Sequence, residues 1–302
     1  MRRAAILALS AVALACGGDD SSSDASSDAT LDAVDDLGDA ADAAVDVPPE
    51  PAIWVASATT LYALDPETRV LRRVADFDCS GEEMLDVAMN ANEELFGVTT
   101  ESVVRIDKTT GACTVLARGS QVLPYATAFV PSASLDGGPE RWLGYELATY
   151  DAIDPDSDAL TFAGTLASDA GNTFQASGDM VSLAGGKTYL TMFDFDPQAG
   201  DSLVQIDPAT GALEKFLGAT GIAPLRGLAQ WGGVLYAFSN HSRIYTVGVT
   251  DAGVALKVFA VTYDFGDAGA ADAATDADAD ASGASSFIDF RGAAVTTRAP
   301  VQ

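Results

Sequence analysis

From residue 52 to its end, the chain alternates apolar and polar residues in short runs that end in an aspartate and a turn. This form is shared by the runs that end at Asp65, Asp107, Asp154 and Asp207, and a less regular repeat ends at Asp251. An Asp side chain accepts hydrogen bonds from backbone N–H groups two residues on, and the Pro and Gly residues that follow suit tight turns. This alternation predicts half-buried β-strands joined by hairpins.

The aspartate-turn unit returns every 42 to 53 residues, and each repeat divides into four predicted strands. In the first complete repeat these strands are Leu85–Asn90, Glu94–Thr99, Val103–Asp107 and Cys113–Arg118. An alternative interpretation makes Glu82–Phe96 a short helix, although the intervening Asn residues interrupt it. Strand repeats of this length resemble the blades of a β-propeller.

The two ends of the repeat region complement each other. The N-terminal strands Ile53–Ala56, Leu61–Leu64 and Val70–Val74 lack an inner strand, and the C-terminal run Phe290–Thr296 resembles the inner strand at Leu225–Trp231. Pairing the two ends would leave no unpaired inner edge. The resemblance to the propeller architecture covers residues 52–302. It implies an all-β fold, a five-bladed β-propeller of four-stranded blades closed by its N- and C-terminal strands, which we expect to be a monomer.

The first fifteen residues have the features of a signal peptide. A positively charged start precedes the apolar run Ala4–Leu14, which is too short to span a bilayer. The segment Ala13–Cys16 resembles the lipobox of bacterial lipoproteins, except that Ala13 stands where that family most often has Leu. The resemblance implies cleavage before Cys16, acylation of its thiol and, with Gly17 following, attachment to the outer membrane at its periplasmic or cell-surface face. A plain secretory signal is the alternative.

Charge is concentrated in two segments of the chain. The net charge is −28, and eleven acids lie between Asp19 and Glu50 with no Lys or Arg. We therefore expect residues 16–51 to form a disordered acidic linker after the lipidated cysteine. Residues 264–285 form a second acidic, low-complexity stretch, which fails the calcium-loop pattern because Ala281 and Phe287 stand where Gly and Glu are required. This charge argues against nucleic acid as a partner, and we predict no metal and no cofactor.

Two cysteines remain besides Cys16, namely Cys79 and Cys113. In an oxidising compartment such a pair can form a disulfide. The predicted topology places the two residues on opposite faces of the propeller, so a bond requires the loop around Cys79 to fold down. The alternative is two buried thiols.

One position recurs near the start of the five predicted inner strands. It holds charged or aromatic residues: Asp86, Tyr125, Asp179, Arg226 and Arg291. We expect this position to face the central channel near one mouth, where the side chains are candidates for binding a small ligand. The alternative is structural, with Asp179 paired to Arg226 and Arg291 paired to Asp86.

No catalytic motif is present in the sequence. His241, the single histidine, is expected at an exposed hairpin tip, so neither a Ser-His-Asp triad nor a His-rich metal site is indicated. Asp86 and Asp179 are the one carboxylate pair suited to glycoside hydrolysis. Three aromatic residues are candidates for stacking on a sugar, as in lectins: Trp142, Trp231 and Tyr125. We favour a non-catalytic, membrane-anchored module that binds an unknown protein or carbohydrate, and keep a channel hydrolase or lectin as the alternative.

Overall fold

The structure is a computed structural model that describes residues 53–301, except 119–121, 157–158, 168–170, 172, 185, 195, 197 and 266–286. The predicted signal peptide, Cys16, the linker and most of the acidic stretch at 264–285 lie outside these residues. In the described part of the chain, no helix has the length and apolar character needed to cross a membrane.

Five antiparallel sheets form the five blades. The chain begins with three strands of the fifth blade, β1 (Ile53–Ser57), β2 (Thr60–Asp65) and β3 (Val70–Asp76). Blade 1 contains β4 (Met84–Met89), β5 (Leu95–Thr99), β6 (Ser102–Ile106) and β7 (Cys113–Arg118). Blade 2 contains β8 (Ala126–Val130), β9 (Arg141–Glu146), β10 (Thr149–Ile153) and β11 (Leu160–Thr165), with a short 3-10 helix at Ser132–Ser134.

The remaining strands complete the ring. Blade 3 contains β12 (Ala176–Ser182), β13 (Thr188–Phe193), β14 (Asp201–Ile206) and β15 (Leu213–Ala219). Blade 4 contains β16 (Leu225–Trp231), β17 (Val234–Ser239), β18 (Ile244–Thr250) and β19 (Gly253–Val258). Two short strands follow, β20 (Thr262–Asp264) and β21 (Phe290–Ala294). All four strands predicted for the first complete repeat occur within one residue of their predicted ends, so the helical alternative is wrong.

The C-terminal strand closes the propeller, as predicted. Strand β21 pairs with β1 antiparallel, with Val55 opposite Ala293, and blade 5 has the order β20-β3-β2-β1-β21. The sequence did not predict β20, which adds to β3 in parallel, with Tyr263 opposite Leu71. The protein is a five-bladed β-propeller, and blade 5 draws strands from both ends of the described chain.

Five hydrophobic clusters occupy the five interfaces between neighbouring blades. One cluster, for example, joins Phe96 of blade 1 to Phe129 and Trp142 of blade 2, and the Phe129 and Trp142 rings stack with their centroids 5.4 Å apart. A blade in a ring is covered on both faces, so β5 and β8 are buried along their whole length. The outer strands are exposed at several positions, as in β15. This burial explains why β5 and β8 are nearly continuous in apolar residues.

The segments that link one blade to the next lie beside the following blade's outer strand. Asp78, after β3, accepts a hydrogen bond from the N–H of Cys113, and its own N–H donates to Gly111 O. This contact brings Cys79 to Cys113, and the two residues are joined by a disulfide. The predicted separation on opposite faces is therefore wrong. Each strand is twisted by about 20–25° from its neighbour, so an outermost strand lies far from parallel to the axis and within reach of the preceding link.

Candidate functional site

The inner strands carry β-bulges that shift their alignment by one residue. Arg226 is the extra residue in β16, Arg291 in β21, and Leu85 in β4. The extra residue stands at the same place in all three strands, so Leu85 aligns with Arg226 and Arg291, and Asp86 aligns with Gly227 and Gly292. The single recurring position predicted from the sequence is therefore two adjacent positions, and the prediction aligned Asp86 one residue away from its true counterparts.

The centre of the ring is filled by two aspartates surrounded by small residues. Asp86 of β4 and Asp179 of β12 are both fully buried. At the same level the other three inner strands present residues with little or no side chain: Ala126, Gly227 and Gly292. A Cβ atom on Gly292 would lie 2.1 Å from Asp86 Oδ1. Glycine is therefore needed there to make room for the carboxyl group.

The Asp86 carboxyl group joins blade 1 to blade 2. Its Oδ1 accepts a hydrogen bond of 2.8 Å from the N–H of Val87. Its Oδ2 accepts 2.6 Å and 3.0 Å bonds from the N–H and the hydroxyl of Thr127. Thr127 was not singled out from the sequence, because nothing in its surroundings marks it as a partner of a residue 41 positions earlier.

The Asp179 carboxyl group joins blade 3 to blades 4 and 5. Its Oδ1 accepts a 2.6 Å bond from the N–H of Met180. Its Oδ2 accepts from the N–H of Leu228 at 2.7 Å and of Ala293 at 3.3 Å. The two aspartates together thus connect all five inner strands.

The predicted ion pairs of these aspartates do not form. Arg291 contacts Asp289 at 2.8 Å and Glu83 at 3.9 Å. Among the residues described, no ion pair joins Asp86 to Arg291 or Asp179 to Arg226. Backbone N–H groups occupy the carboxylate oxygens, and the arginines lie one residue nearer the strand starts than the aspartates. The predicted pairing is therefore wrong.

Burial raises the pKa of Asp86 well above its usual range, and the nearby Asp179 carboxyl raises it further, against hydrogen bonds from Thr127 and Val87. Burial likewise raises the pKa of Asp179, against hydrogen bonds from the backbone of Leu228, Met180 and Ala293. A buried group is hard to ionise when it has no cation beside it. Both carboxyl groups are therefore harder to ionise than an exposed aspartate.

The space on the propeller axis next to Asp86 and Asp179 is small. A cavity of about 20 Å³ lies on the far side of the aspartates, lined by Val87, Phe129, Met180, Leu228 and Ala293 among others. That volume suits about one water-sized molecule and is far below the several hundred Å³ of a typical ligand pocket. A sugar ring does not fit there.

The propeller has two faces with different loops. We call the connector face the one that carries the links between blades and the turns between each blade's second and third strands. The terminal face carries the start of β1 at Ile53, the hairpins between first and second strands, and the segment after β21. On the terminal face, Gln230 donates a hydrogen bond to the carbonyl of Pro300, and Thr297 donates one to Glu140.

Three of the predicted ligand-binding residues lie on the connector face around the axis. Tyr125, Arg226 and Arg291 are all partly exposed, and the Tyr125 hydroxyl donates a 2.8 Å bond to the carbonyl of Ala176. Burial raises the pKa of Asp201 to about 6, against the N–H of Leu225 and the nearby Arg226. Ligand binding by these residues stays a prediction, whereas Asp86 and Asp179 lie below them and out of contact with solvent.

Exposed apolar side chains also occur on the connector face. They come from the links and turns of blades 1, 2, 3 and 5: Val122, Leu147, Phe193 and Phe287, at 71%, 39%, 49% and 63% exposure. The Phe287 ring contacts His241, which lies at an exposed hairpin tip as predicted. Large exposed apolar groups can mark an interaction surface, and further ones lie on the outer strands, at Phe162, Phe216 and Val258.

The three aromatic residues considered for sugar stacking lie mostly in the core. Trp142 is 1% exposed and stacks on Phe129. Trp231 packs against the cluster between blades 4 and 5, and Tyr125 packs against the cluster between blades 2 and 3. Within the described ranges, no group of three or more His, Cys, Asp or Glu side chains is arranged to hold a metal ion.

Comparison with known proteins reveals similarity of fold alone. No protein-family model and no curated protein matches the chain. Solved structures do match, among them BamB from Moraxella catarrhalis, with 11% identity over 68% of this chain and 56% of that one and a TM-score of 0.35. The β-propeller domain of Cps50 (Swd1) from Myceliophteria thermophila matches with 13% identity over 67% and 66%, at a TM-score of 0.38.

A third similar structure is regucalcin, described as a calcium-binding protein, from Agrobacterium tumefaciens. Its identity to this chain is 17%, over 65% of this chain and 64% of that one, with a TM-score of 0.36. At such identities the similarity concerns the propeller architecture, and none of these proteins carries an argument about the function of this chain.

Proposed function

We propose that this protein is an exported, lipid-anchored β-propeller that acts as a binding or scaffold module and not as a channel enzyme. The decisive observation is that side chains fill the propeller axis at the level of Asp86 and Asp179. Asp86 and Asp179, the carboxylates nominated for hydrolysis, are fully buried and bonded to backbone N–H groups. A glycosidase needs two carboxyl groups on either side of an accessible substrate. That arrangement is absent from this pair.

Export and anchoring are supported by the sequence and by the disulfide. Acylation of Cys16 would attach the chain to the outer membrane through the predicted acidic linker. A disulfide such as Cys79–Cys113 is typical of proteins in oxidising compartments. Because β1 begins on the terminal face, the linker would join the propeller on that side.

The connector face has the composition expected of a protein-binding surface. Aromatic and arginine residues are enriched at the centres of protein interfaces, and here Phe193 and Phe287 lie on the same face as Arg226 and Arg291. A protein partner fits this surface better than a sugar, because Trp54, Trp142 and Trp231 lie at the strand ends nearer the terminal face and not on the connector face. We therefore place the binding role on the connector face.

The experiment is site-specific photo-crosslinking in cells of the source bacterium. A photoreactive amino acid replaces Phe193 on the connector face or, as matched control, Val234 on the terminal face, which is 38% exposed. We expect the probe at position 193 to give a discrete adduct in the membrane fraction, weakened at least tenfold by Arg226→Glu. Equal crosslinking from both positions would contradict the assignment of the binding face.

The same cells test the anchor. We expect mass spectrometry of the mature protein to find an acylated Cys16 at its N-terminus, and Cys16→Ser to move the protein out of the membrane fraction. An unmodified N-terminal residue would refute the lipoprotein part of the proposal and leave the binding part standing.

A further inference from the structure

The two axial carboxyl groups meet at the same strand. Asp86 Oδ1 lies against Gly292 of β21, at the position where a Cβ atom would be 2.1 Å away. Asp179 Oδ2 accepts a hydrogen bond from the next residue, Ala293. Both groups are fully buried. Two carboxyl groups are therefore held together in an apolar ring centre, and each already accepts several hydrogen bonds.

No cation balances the pair. Its hydrogen-bond donors are five backbone N–H groups and the Thr127 hydroxyl, and in the described part of the chain neither carboxyl group has an ion-pair partner. Two carboxylate anions within hydrogen-bonding contact in a medium of low dielectric repel each other strongly. One retained proton removes that repulsion and leaves the strand-joining bonds in place.

We propose that Asp86 and Asp179 share a single proton. Binding of this proton stabilises the contact of the five inner strands at the axis and makes that contact sensitive to pH. The inference is independent of the proposed binding function. While the proton is bound, the pair carries one negative charge and the inner strands stay together. When the pH is high enough to remove the proton, the second carboxyl group ionises, and the inner strands are pushed apart at the axis.

Thr127 decides which of the two carboxyl groups holds the proton. A hydroxyl can accept a hydrogen bond as well as donate one, whereas a backbone N–H can only donate. Asp86 Oδ2 contacts the Thr127 hydroxyl at 3.0 Å, a neighbour that tolerates a protonated carboxyl group, so Asp86 can hold the proton that it donates to Asp179. Asp179 accepts hydrogen bonds from three backbone N–H groups and from the Asp86 carboxyl group, so Asp179 is the anion of the pair.

Other titratable or charged groups lie on the elements that pack around the pair, and none sits between the two carboxyl groups. They are Glu83 before β4, Tyr125 before β8, Tyr189 on β13, Asp201 on β14, Arg226 on β16, and Asp289 and Arg291 at β21. The pKa of Asp201 is raised to about 6, and burial raises the pKa of Tyr125 and Tyr189 above that of free tyrosine. Asp201 therefore titrates below pH 7 and the tyrosines above pH 10.

The sign of the pH dependence follows from the raised pKa of the pair. A carboxyl group whose folded pKa exceeds its unfolded pKa binds its proton more strongly in the folded state, so stability is lost as pH rises toward the folded pKa. Asp65 and Glu82, whose pKa values are lowered, act only near pH 4 and below. Above pH 7 the unfolding equilibrium constant should rise with pH until the folded pKa of the pair is reached, by at most about tenfold per pH unit for one proton.

The direct test is infrared spectroscopy of the oxidised full chain labelled with ¹³C-aspartate. At pH 7 we expect a protonated carboxyl band that Asp86→Asn removes and that the exposed control Asp251→Asn retains. A wild-type spectrum without any protonated aspartate at pH 7 would overturn the proposal, and this result does not depend on whether a variant folds.

Unfolding in urea from pH 7 upward supplies the second test. We expect Asp86→Asn to abolish the rise of the unfolding equilibrium constant with pH and Asp251→Asn to keep it. An unchanged slope in Asp86→Asn would contradict the shared proton. We also expect Asp179→Asn to unfold more readily than Asp86→Asn at pH 7, because its amide NH₂ would face a backbone N–H with no acceptor available.

Discussion

Glycine sets how closely the inner strands approach one another at the axis. A Cβ atom on Gly178 would lie 1.7 Å from the carbonyl oxygen of Leu225, and one on Gly292 would lie 2.1 Å from Asp86 Oδ1. Contacts this short with backbone or with a hydrogen-bonded carboxyl group cannot be relieved by a rotamer change. The absence of a side chain at these positions therefore makes the small ring possible.

We predict that Gly292→Ala destabilises the fold by about 2–3 kcal/mol, because overpacking a filled core forces strands and side chains to shift. The matched control is Gly248→Ala in β18, where a Cβ atom would meet a single neighbour at 3.7 Å, and we expect a change of about 0.5 kcal/mol or less. Urea unfolding measures both. Equal losses of unfolding free energy in the two variants would show that the axis can accommodate a Cβ atom at position 292.

The sequence was informative about these residues only in part. It identified Asp86 and Asp179 as unusual polar residues of inner strands, and the structure brings both to the axis. It also assigned Arg226 and Arg291 to the level of Asp86, which is an error of one residue in the alignment of the inner strands, because Leu85 is the true counterpart of these arginines. Partners such as Thr127 belong to another blade and become visible only when the ring is assembled.

At the scale of secondary structure elements, the links between blades stabilise the contact between neighbouring blades. Three of them hydrogen-bond to the next blade beside its outer strand: Asp78 with Gly111 and Cys113, Ala167 with Leu213, and Thr262 with Arg69. Turns contribute as well, since Tyr145 and Tyr150 of blade 2 donate to the carbonyls of Gly211 and Pro208 in blade 3. The aspartate turns that revealed the repeat in the sequence therefore also join neighbouring blades.

The disulfide makes one of these links covalent. Cys79 and Cys113 are separated by 34 residues, and closing a loop of that length in the unfolded chain corresponds to about 3–4 kcal/mol in the chain-entropy model. We predict that the Cys79→Ser, Cys113→Ser double variant loses about 2–4 kcal/mol of unfolding free energy in urea. Reductant should lower the stability of the wild type toward that of the variant and leave the variant unchanged. A wild type insensitive to reductant would show that the bond adds nothing.

For the whole molecule, closure of the ring is the main source of cooperativity. Each hydrophobic cluster needs two neighbouring blades, and the cluster between blades 4 and 5 includes Ile53 and Phe290 from the two ends of the described chain. This closure was predictable from sequence because the C-terminal run matched an inner strand that the N-terminal strands lacked. The fifth strand of blade 5, β20, was not predictable, since three residues carry too little pattern.

Removing the closing strand should therefore affect every blade. A chain that ends at Ile288 loses β21, the buried Phe290 side chain and the Ala293 N–H that binds Asp179. We expect the loss to approach the about 5–15 kcal/mol that stabilises a typical domain. Calorimetry should then show no cooperative unfolding transition, and size-exclusion chromatography should show expanded or aggregated chains.

A chain that ends at Val295 is the matched control, because it keeps β21 and removes only the segment that follows. That segment contributes hydrogen bonds from Thr296 to Asn90, from Thr297 to Glu140 and from Gln230 to Pro300, worth about 1–3 kcal/mol together. The control should unfold cooperatively at a modestly lower temperature. If the chain ending at Ile288 unfolded as cooperatively as this control, four blades would be stable without the fifth being closed, and the axial aspartates could not be holding all five strands together.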